Sequence, residues 1–273
     1  MALHKKKIEK IIKKPVTVYV YDEIDSTNNE AKRRASADRG RTVLYVADFQ
    51  TAGRGRHGHD FFSPKGSGLY FTLSLPLCGY FAGVQLMTCA AGVAVCEAIF
   101  ALTGKSPSVK WVNDVFIDGK KVAGILTELV TDGDNKPLSV IVGIGINLTT
   151  AYFPAEFAEK AGSVGSVDPN RLCAGVADRL IGMFEELQNN SDLELKPQNN
   201  SFLESNVHFN SIVEKYKRLN FCIGKTVQYT DPDGLHTALA VDIAPDGCLV
   251  VEENGTSKVL HSGEISVKTE SSR

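Results

Sequence analysis

A short stretch rich in glycine and arginine carries the clearest chemical signal in the sequence. Within residues 47–64 its centre reads Gly53-Arg54-Gly55-Arg56-His57-Gly58. Glycines at near-alternating positions let the backbone adopt positive φ and expose its amides, and the arginines between them add fixed positive charge. This composition suits a loop that surrounds an anion, and it is equally typical of a solvated basic loop. Strand-like sequences on both sides, at 42–49 and 69–75, favour an anchored binding loop.

A second polar cluster follows the first strand-like segment. Residues 15–22 alternate valine with threonine or tyrosine, which predicts a strand with one buried face. Ser26, Thr27 and Asn28 come next, and Thr27-x-x-Glu30 predicts a capping box that opens a helix. Hydroxyls, an amide and free backbone N–H groups at a helix N-terminus can bind a polar ligand, and they can equally serve only as caps.

Two lysines and an Asn-Asp pair form a third candidate cluster. Asn113-Asp114 interrupts a strand-like run beside Lys110 and Trp111, the sole tryptophan. The turn at 117–120 then predicts a hairpin whose return strand begins with Lys121. Asn-Asp pairs usually form turns, but this pair precedes the turn, so turn chemistry alone does not account for its position.

Further along the chain, residues 138–147 form a near-continuous apolar run that predicts a buried strand. Gly143 and Gly145 within it predict a close approach by another group, because a glycine leaves room against the backbone. Asn147 ends the run. An asparagine at a strand end is common, so it is a weak functional signal by itself.

Helices and a small C-terminal module complete the predicted elements. The apolar segment 81–103 is predicted to be a buried helix rather than a membrane span, because small residues dominate it. A helix is predicted from 168 to about 186, followed by a loop at 188–201 and a further helix capped by Ser201-x-x-Glu204. After residue 221, short alternating strands separated by glycine turns predict a small antiparallel barrel.

Composition disfavours nucleic acid as the ligand. The 273 residues include 30 basic and 32 acidic side chains, a net charge of −2, so the chain lacks the positive excess typical of nucleic-acid-binding proteins. Its six cysteines show no C-x-x-C pair, which predicts buried, reduced thiols rather than disulfides or metal ligands. The lysine-rich residues 1–14 lack the apolar core of a secretory signal and predict a frayed, solvated extension.

Taken together, these motifs resemble those of the biotin protein ligases. They occur in that family's order and cover nearly all of the chain after Lys14. The segments that carry the resemblance are Asp25-Ser26-Thr27-Asn28, Gln50-Thr51-Ala52-Gly53-Arg54-Gly55-Arg56, Ser63-Pro64, Lys110-Trp111-x-Asn113-Asp114, Lys121-x-Ala123-Gly124-Ile125-Leu126, Gly143-Ile144-Gly145-Ile146-Asn147 and Gly263-Glu264-Ile265-Ser266.

The resemblance implies an α+β fold, in which a mixed β-sheet flanked by helices forms a class II synthetase-like catalytic domain. It also implies a small SH3-like C-terminal barrel. The corresponding divisions are a basic N-terminal extension at 1–14, a biotin- and ATP-binding catalytic domain at 15–220 and the barrel at 221–273. The implied reaction has two steps: biotin and MgATP form biotinyl-5′-AMP, and the acyl group then passes to a lysine of a carrier protein.

The same resemblance assigns roles to particular residues. Arg56, Lys121 and Asp114 are implied to be catalytic, and Asp114 is the candidate for orienting or deprotonating the acceptor amine. The implied biotin-binding residues are Ser26, Thr27, Asn28, Gln50, Gly53, Arg54, Gly55, Arg56, Lys121 and Gly124. The implied ATP-binding residues are Arg54, Arg56, Lys110, Trp111, Asn113 and Asn147. Magnesium is the only metal implied, and it accompanies ATP.

The expected partners are the biotin carboxyl carrier domains of biotin-dependent carboxylases. The protein itself is expected to be a cytoplasmic monomer or homodimer that binds neither nucleic acid nor membrane.

This sequence departs from the family pattern in having Val112 where a proline is common and Phe61 where a tryptophan is usual. Residues 147–168 align poorly, so no adenine-stacking residue is assigned. Fourteen residues before the first strand are too few for a winged helix-turn-helix, so repressor function is expected to be absent.

Two other functions compete with biotin ligation. A lipoate or octanoyl ligase or transferase shares the fold, but the glycine-arginine loop and the C-terminal Gly-Glu-Ile-Ser motif favour biotin. A non-catalytic nucleic-acid-binding protein is disfavoured by the acidic balance, and steep salt-dependent DNA binding would support it.

Overall fold

A seven-stranded mixed sheet forms the larger part of the molecule. The structure is a computed structural model that describes residues 2–77, 83–194, 202–261, 263 and 265–268. In the sheet order β1-β2-β3-β7-β6-β5-β4, only β1 and β2 pair in parallel. The strands are β1 (Thr17–Tyr21), β2 (Val43–Ala47), β3 (Gly68–Pro76), β4 (Ser108–Lys110), β5 (Asp114–Ile117), β6 (Lys120–Thr131) and β7 (Pro137–Asn147).

Within the described residues, five α-helices flank this sheet. The predicted buried helix is confirmed: α3 is long and apolar enough to cross a membrane, but 72% of its apolar window is buried inside the protein, where it packs on α4, α5 and the sheet. Residues 81 and 82 of the predicted segment lie outside the described residues. The helices are α1 (Lys5–Ile11), α2 (Thr27–Arg34), α3 (Val84–Thr103), α4 (Pro169–Glu194) and α5 (Phe202–Leu219).

The N-terminal segment is not the frayed extension that its lysines predicted. Helix α1 packs on α4, with Ile8 fully buried and Ile12 8% exposed. The backbone N–H of His4 donates to Asn170 Oδ1 at 2.7 Å, which anchors the start of the helix. The prediction was wrong because Ile8 and Ile12, one helical turn apart, form an apolar stripe that lysine-rich composition conceals.

Helix α4 also differs from the prediction. It runs to Glu194 instead of ending near residue 186, so the loop expected at 188–201 is wrong over 188–194. Gln188 Nε2 donates to the carbonyl of Pro76 at 3.1 Å, and this contact with β3 favours helix over loop at that point. The rest of the predicted loop and the Ser201 cap lie outside the described residues.

A five-stranded antiparallel sheet follows α5, as the regular glycine turns predicted. Its order is β11-β10-β9-β8-β12. The carbonyl of Gly247, in the turn before β10, accepts a 3.0 Å hydrogen bond from the buried Trp111 indole and so ties this sheet to the larger one. The strands are β8 (Thr226–Asp231), β9 (Gly234–Ile243), β10 (Leu249–Glu253), β11 (Thr256–Leu260) and β12 (Ile265–Val267).

The thiols match the prediction of buried, reduced side chains within the part of the chain that the structure describes. Five cysteines are buried and free, at positions 89, 96, 173, 222 and 248. Cys78 lies outside the described residues. Burial raises the pKa of Cys96 to about 12, which keeps this thiol protonated at neutral pH.

Candidate active site

A cavity of about 790 Å³ opens above β5, β6 and β7 and gathers the separate sequence motifs. Its walls come from the start of α2, the loop at 50–62, the segment at 153–161 and the C-terminal sheet at 263–266. The predicted site residues that line it are Ser26, Thr27, Asn28, Gln50, Arg54, Gly55, Arg56, Lys110, Trp111, Asn113, Asp114, Lys121, Gly124 and Asn147.

Gly53 is the predicted site residue that does not line the cavity. It packs behind the wall, where a Cβ would lie 2.4 Å from the carbonyl oxygen of Phe61 and 2.5 Å from Ser63 Oγ. The Phe61 N–H donates to the Gly53 carbonyl at 2.9 Å and closes the base of the loop. Gly53 therefore shapes the loop by letting Phe61 and Ser63 approach its backbone closely, and it contacts these residues instead of the cavity.

One end of the cavity is neutral, polar and interlocked. Gln50 Oε1 accepts hydrogen bonds from the backbone N–H of Thr27 at 2.9 Å and from its hydroxyl at 3.1 Å, while Gln50 Nε2 donates to Ser63 Oγ at 2.9 Å. The Thr72 hydroxyl, from β3, lies 2.8 Å from Thr27 Oγ1 and 2.5 Å from Asn28 Oδ1. All five side chains are buried, so each polar atom is positioned by its partners.

The capping box predicted here does not form. Helix α2 begins at Thr27, its N-cap is Ser26, and no side chain caps it. The Thr27 hydroxyl is used by Gln50, and Glu30 instead accepts a hydrogen bond from Tyr21 at 3.2 Å. A contact across the fold has displaced the local motif, and the first N–H group of α2, that of Thr27, donates to Gln50 instead of to a local cap.

Glycines on β6 and β7 open the floor of the cavity, as Gly143 and Gly145 predicted. A Cβ on Gly143 would lie 2.0 Å from Asn28 Oδ1, and one on Gly145 would lie 2.3 Å from the Phe61 ring. Gly124 leaves room on the other side of the same ring, at 3.0 Å. The close approach is therefore made by two side chains of the protein itself, and they define the width of the cavity.

The opposite end is charged and contains the Asn-Asp motif. Lys121 Nζ and Asp114 Oδ1 form an ion pair of 2.6 Å between adjacent strands β6 and β5. Asn113 is fixed to β6, because its Nδ2 donates to the carbonyl of Ile125 at 2.9 Å and its own carbonyl accepts from the Ile125 N–H at 2.9 Å. The interruption of the strand before the hairpin therefore places both Asn113 and Asp114 in the lining of the cavity.

Arg56 closes this end from the glycine-arginine loop. Its Nη1 lies 3.4 Å from Asn113 Oδ1 and 3.3 Å from the carbonyl oxygen of Gly263, in the C-terminal part of the chain. Both contacts are at the long end of the hydrogen-bond range. Of the glycines expected to adopt a positive φ, Gly58 does so at 79°, whereas Gly55 has φ −109° and Gly53 is not in that region; His57, at φ 53°, adopts a positive value that was not predicted.

Arg54 points in a different direction from Arg56. Its Nη1 donates to Asn29 Oδ1 at 3.0 Å, and its Nη2 lies 3.9 Å from Glu128 Oε1. Burial acts to raise the pKa of Glu128, but hydrogen bonds from Lys32 and Asn28 outweigh it and hold that pKa below its ordinary value. Glu128 therefore stays charged and anchors both Asn28 and the Arg54 side of the loop.

Two residues assigned to ATP have structural partners. The Trp111 indole is engaged with Gly247, and Asn147 Nδ2 donates to the carbonyl of Gly162 at 3.1 Å. Asn147 also accepts through its own carbonyl from the Val164 N–H at 2.8 Å. It thereby holds the segment after β7 against the mouth of the cavity, a role that its position at a strand end did not predict.

Sequence reasoning missed several cavity residues. Phe61 was noted only as a departure from the family pattern, yet it fills the space left by Gly124 and Gly145. The poorly aligning segment contributes Phe153, Glu156, Phe157, Lys160 and Ala161. The aromatic spacing of Phe153 and Phe157 in an otherwise polar loop is the signal that could have identified this wall.

Known proteins are similar to this chain over most of its length. It matches the Biotin/lipoate A/B protein ligase family over residues 20–147 and the Biotin protein ligase C terminal domain over residues 222–268. The structure of biotin protein ligase from Aquifex aeolicus in complex with biotin and ATP aligns with a TM-score of 0.73 and 27% identity, covering 92% of this chain and 98% of that one.

Sequence relatives extend the same similarity. Bifunctional ligase/repressor BirA of Bacillus subtilis is 30% identical over 248 residues, which cover 90% of this chain and 72% of the relative. Biotin--[acetyl-CoA-carboxylase] ligase of Mycobacterium tuberculosis is 29% identical over 254 residues, covering 88% and 85%. A match to BirA of Bacillus spizizenii, at 37% identity, covers 60% of this chain but only 51% of that relative.

The mixed sheet and its cavity define a protein of the biotin and lipoate ligase class. The C-terminal match and the 30% identity to a ligase over most of this chain narrow the assignment. The chain belongs to the biotin protein ligase family, a family of ATP-dependent ligases.

Proposed function

We propose that this protein activates biotin with MgATP to form biotinyl-5′-AMP and then transfers biotin to one lysine of a carboxylase carrier domain. The observation that carries the proposal is a single cavity with a neutral, hydrogen-bonding end and a cationic end. An uncharged ureido ring needs both donors and acceptors, and a carboxylate or phosphate needs fixed positive charge. Biotin joined to a nucleotide presents these two kinds of group on one molecule.

In the first step, a carboxylate oxygen of biotin attacks the α-phosphorus of ATP while the bond to pyrophosphate breaks. The two reactants are both anionic, so the site must reduce their repulsion and stabilise charge on the phosphoryl oxygens. Lys121, held by Asp114 at 2.6 Å, supplies a positioned ammonium. Arg56 supplies a guanidinium from the other wall, on a loop that adjusts to the bound anion.

The donor set of the cavity fits magnesium as a companion of ATP. Among the carboxylates lining it in the described residues, Asp114 is paired with Lys121, and Asp60 and Glu156 remain as oxygen donors. Mg²⁺ keeps water and phosphate oxygens and uses one or two carboxylates, so Asp60 and Glu156 would hold it. It supplies charge neutralisation at the phosphates.

In the second step, the lysine amine of the carrier attacks the acyl carbonyl and AMP leaves. The amine must lose a proton before it attacks, and Asp114 is the proposed group that orients it or receives the proton. Because Asp114 is already bound to Lys121, the incoming amine would compete with Lys121 for the same carboxylate. Asn113, pinned to β6, would then face the ribose or phosphate side.

The test of this function is biotin-dependent exchange of labelled pyrophosphate into ATP, followed by transfer to a carrier domain. We expect exchange with biotin and without carrier, because the first step needs no acceptor. Lipoate added as a competitor should leave the exchange unchanged. Exchange that requires lipoate would instead support the lipoate ligase alternative, and no exchange with either acid in folded protein would contradict both.

The partners remain proposals of the same kind. One relative is named for acetyl-CoA carboxylase, which supports a biotin carrier domain as the acceptor here. We propose a cytoplasmic monomer or homodimer that binds neither nucleic acid nor membrane, with divisions at 1–14, 15–220 and 221–273. Steep salt-dependent binding to DNA would contradict the first part of this proposal.

A further inference from the structure

A second group of chemically reactive side chains lies in the C-terminal sheet. Strands β10 and β11 form an antiparallel hairpin in which Leu249 pairs with Leu260. Cys248 and His261 are the next residues outward on the two strands, so the register places them opposite each other. Cys248 Sγ lies 3.2 Å from His261 Nδ1.

Asp246 completes the group from the turn before β10. Its Oδ1 accepts a 3.0 Å hydrogen bond from the backbone N–H of Cys248, which fixes the carboxylate beside the thiol. One ligand atom each from Asp246, Cys248 and His261 lie within 4.8 Å of one another. The thiol is buried while the aspartate and the histidine are exposed, so the cluster is open to solvent on one side.

We propose that Asp246, Cys248 and His261 bind one zinc ion, with water as the fourth ligand. Sulfur, imidazole and carboxylate are the three donor types that zinc uses in proteins. Zinc bonds of about 2.3 Å to sulfur and 2.0 Å to nitrogen, at a tetrahedral angle, place those two atoms about 3.5 Å apart. The observed 3.2 Å is close to that separation, and the Asp246 oxygen lies within 4.8 Å of both atoms, so rotation of this exposed side chain would bring it to the same ion.

The backbone around the cluster is already fixed by other contacts. Gly247, between two of the ligands, has φ 87°, and a Cβ there would lie 2.8 Å from Cys89 Sγ of α3. Its carbonyl accepts the Trp111 hydrogen bond. Because these contacts hold the backbone of the turn in place without an ion, little conformational entropy is lost when a metal binds.

The cluster is separate from the active-site cavity, since none of its three residues lines it. The sequence predicted no metal ligand among the cysteines, because they show neither a C-x-x-C pair nor the spacing of a zinc site. The hairpin register brings them together. Pairing of the two antiparallel strands therefore brings two ligands together, as a short spacing along the chain does in other metal sites.

Cobalt(II) substitution tests the proposal on the full-length protein. Metal-free protein titrated with Co²⁺ should develop a thiolate-to-cobalt charge-transfer band and tetrahedral d–d bands that saturate at about one equivalent. Zinc should then displace the cobalt and abolish the bands. Cys248→Ser should remove the charge-transfer band, and His261→Ala should weaken binding at least about tenfold, because even hydrogen-bond partners of metal ligands contribute about 10–100-fold.

Two variants serve as matched controls. Cys96→Ala removes a different buried thiol, and His236→Ala removes a histidine of the same sheet that lies between Asp231 and Glu253. Both should keep the bands at full stoichiometry, with circular dichroism confirming the fold of every variant. His261 is exposed, so its variant remains informative if Cys248→Ser does not fold. Absence of the bands in wild type, or equal bands in His261→Ala, would overturn the proposal.

Discussion

The two ends of the active-site cavity are built differently. At the neutral end, Thr27, Gln50 and Thr72 hydrogen-bond to one another at 2.8–3.1 Å, and all are buried in regular structure or against it. At the charged end, the contacts of Arg56 with Asn113 Oδ1 and the Gly263 carbonyl are longer, at 3.4 and 3.3 Å, and they start from a loop between strands. The first end is organised before a ligand arrives, whereas from the two long contacts of Arg56 we infer that its side of the second end adjusts to the ligand.

This difference corresponds to what each end must recognise. A neutral ring is bound by hydrogen bonds, whose directions must be set in advance because each contributes little net free energy. An anionic intermediate is bound by charge, which acts over a longer range and tolerates movement of the cation. Within the charged end, Lys121 is the fixed element and Arg56 the adjustable one. Substitutions at these positions can therefore separate the two modes of binding.

Removal of the fixed cation should have the largest effect. We expect Lys121→Ala to lower the rate of biotin-dependent pyrophosphate exchange by about 100-fold or more, because removal of one positioned group that stabilises developing charge costs about 10²–10³ in rate. The substitution also leaves Asp114 without its 2.6 Å partner, which adds a negative charge beside two anions. Steady-state exchange at saturating ATP and biotin measures the loss.

Lys136→Ala is the matched control, because Lys136 has a 71% exposed side chain on the turn after β6. It should exchange at the wild-type rate. If Lys121→Ala kept more than about a tenth of the activity, Lys121 would not be the principal cation of the first step, and the fixed and adjustable roles would have to be reversed.

Loss of the adjustable cation should affect retention more than formation of the intermediate. We expect Arg56→Gly to release biotinyl-5′-AMP roughly tenfold to a hundredfold faster, because a charge-assisted hydrogen bond contributes about 1.5–3 kcal/mol. Lys121 is unchanged, so exchange should persist. Escaped intermediate acylates lysines at random, and the measurement is biotin incorporation into an unrelated protein mixed with each form.

Wild type should leave the unrelated protein essentially unlabelled, and labelling by the variant should rise with the concentration of that protein. Lys32, which does not line the cavity, offers a control: Lys32→Ala removes a cation that pairs with Glu128 at 2.6 Å and should not cause random labelling. Negligible labelling by an Arg56→Gly protein that still makes the adenylate would mean that Arg56 does not retain it.

A methyl group placed in the neutral end tests its rigidity. In Gly143→Ala the new Cβ would meet Asn28 Oδ1 at 2.0 Å, and that amide is held by Thr72 and Glu128. Overpacking of this kind costs about 1–3 kcal/mol, so we expect biotin affinity to fall about tenfold. ATP affinity should change much less. Isothermal titration with biotin, and then with ATP, separates the two effects.

Gly133→Ala is the corresponding control, since its Cβ would meet nothing within 4 Å. It should bind both ligands as wild type does. Equal loss of biotin and ATP affinity in Gly143→Ala would show that the substitution disturbs the whole cavity, and it would contradict a rigid, preorganised neutral end.

The sequence predicted the motifs better than their partners. Arg56 and Lys121 stand in short local patterns and Gln50 in a motif of the family resemblance, and the structure brings all three to one cavity. Thr72 and Glu128 carry no such pattern, because their importance arises from contacts with α2 that span the sheet. Asn28 and Glu128, joined by a 2.9 Å hydrogen bond, are 100 residues apart. Periodicity and spacing report neighbours along the chain and not across it.

The same limit explains the elements that were predicted incorrectly. The Thr27-x-x-Glu30 motif had the right residues for a capping box, but Gln50 and Tyr21 took the two side chains. For α1, composition outweighed the spacing of two isoleucines. Both errors come from judging a local preference without the tertiary contact that competes with it, and the second could have been avoided by weighing periodicity first.

The smallest expected effect concerns the carboxylate that supports the neutral end. Glu128 accepts from Asn28 at 2.9 Å and pairs with Lys32, and its pKa is held below the ordinary 4.5. A carboxyl whose folded pKa is depressed stabilises the protein above its unfolded pKa, and that contribution disappears as the pH falls through the folded pKa.

We therefore expect Glu128→Gln to lower the free energy of unfolding by about 1 kcal/mol at pH 7, because hydrogen bonds to a half-buried charge are lost. The difference from wild type should shrink in urea denaturation as the pH is lowered below the ordinary carboxyl pKa of 4.5 and through the depressed pKa of folded Glu128. Glu23→Gln, at an exposed glutamate, should match wild type at every pH, and a Glu128→Gln deficit that does not change with pH would assign the effect to packing and not to charge.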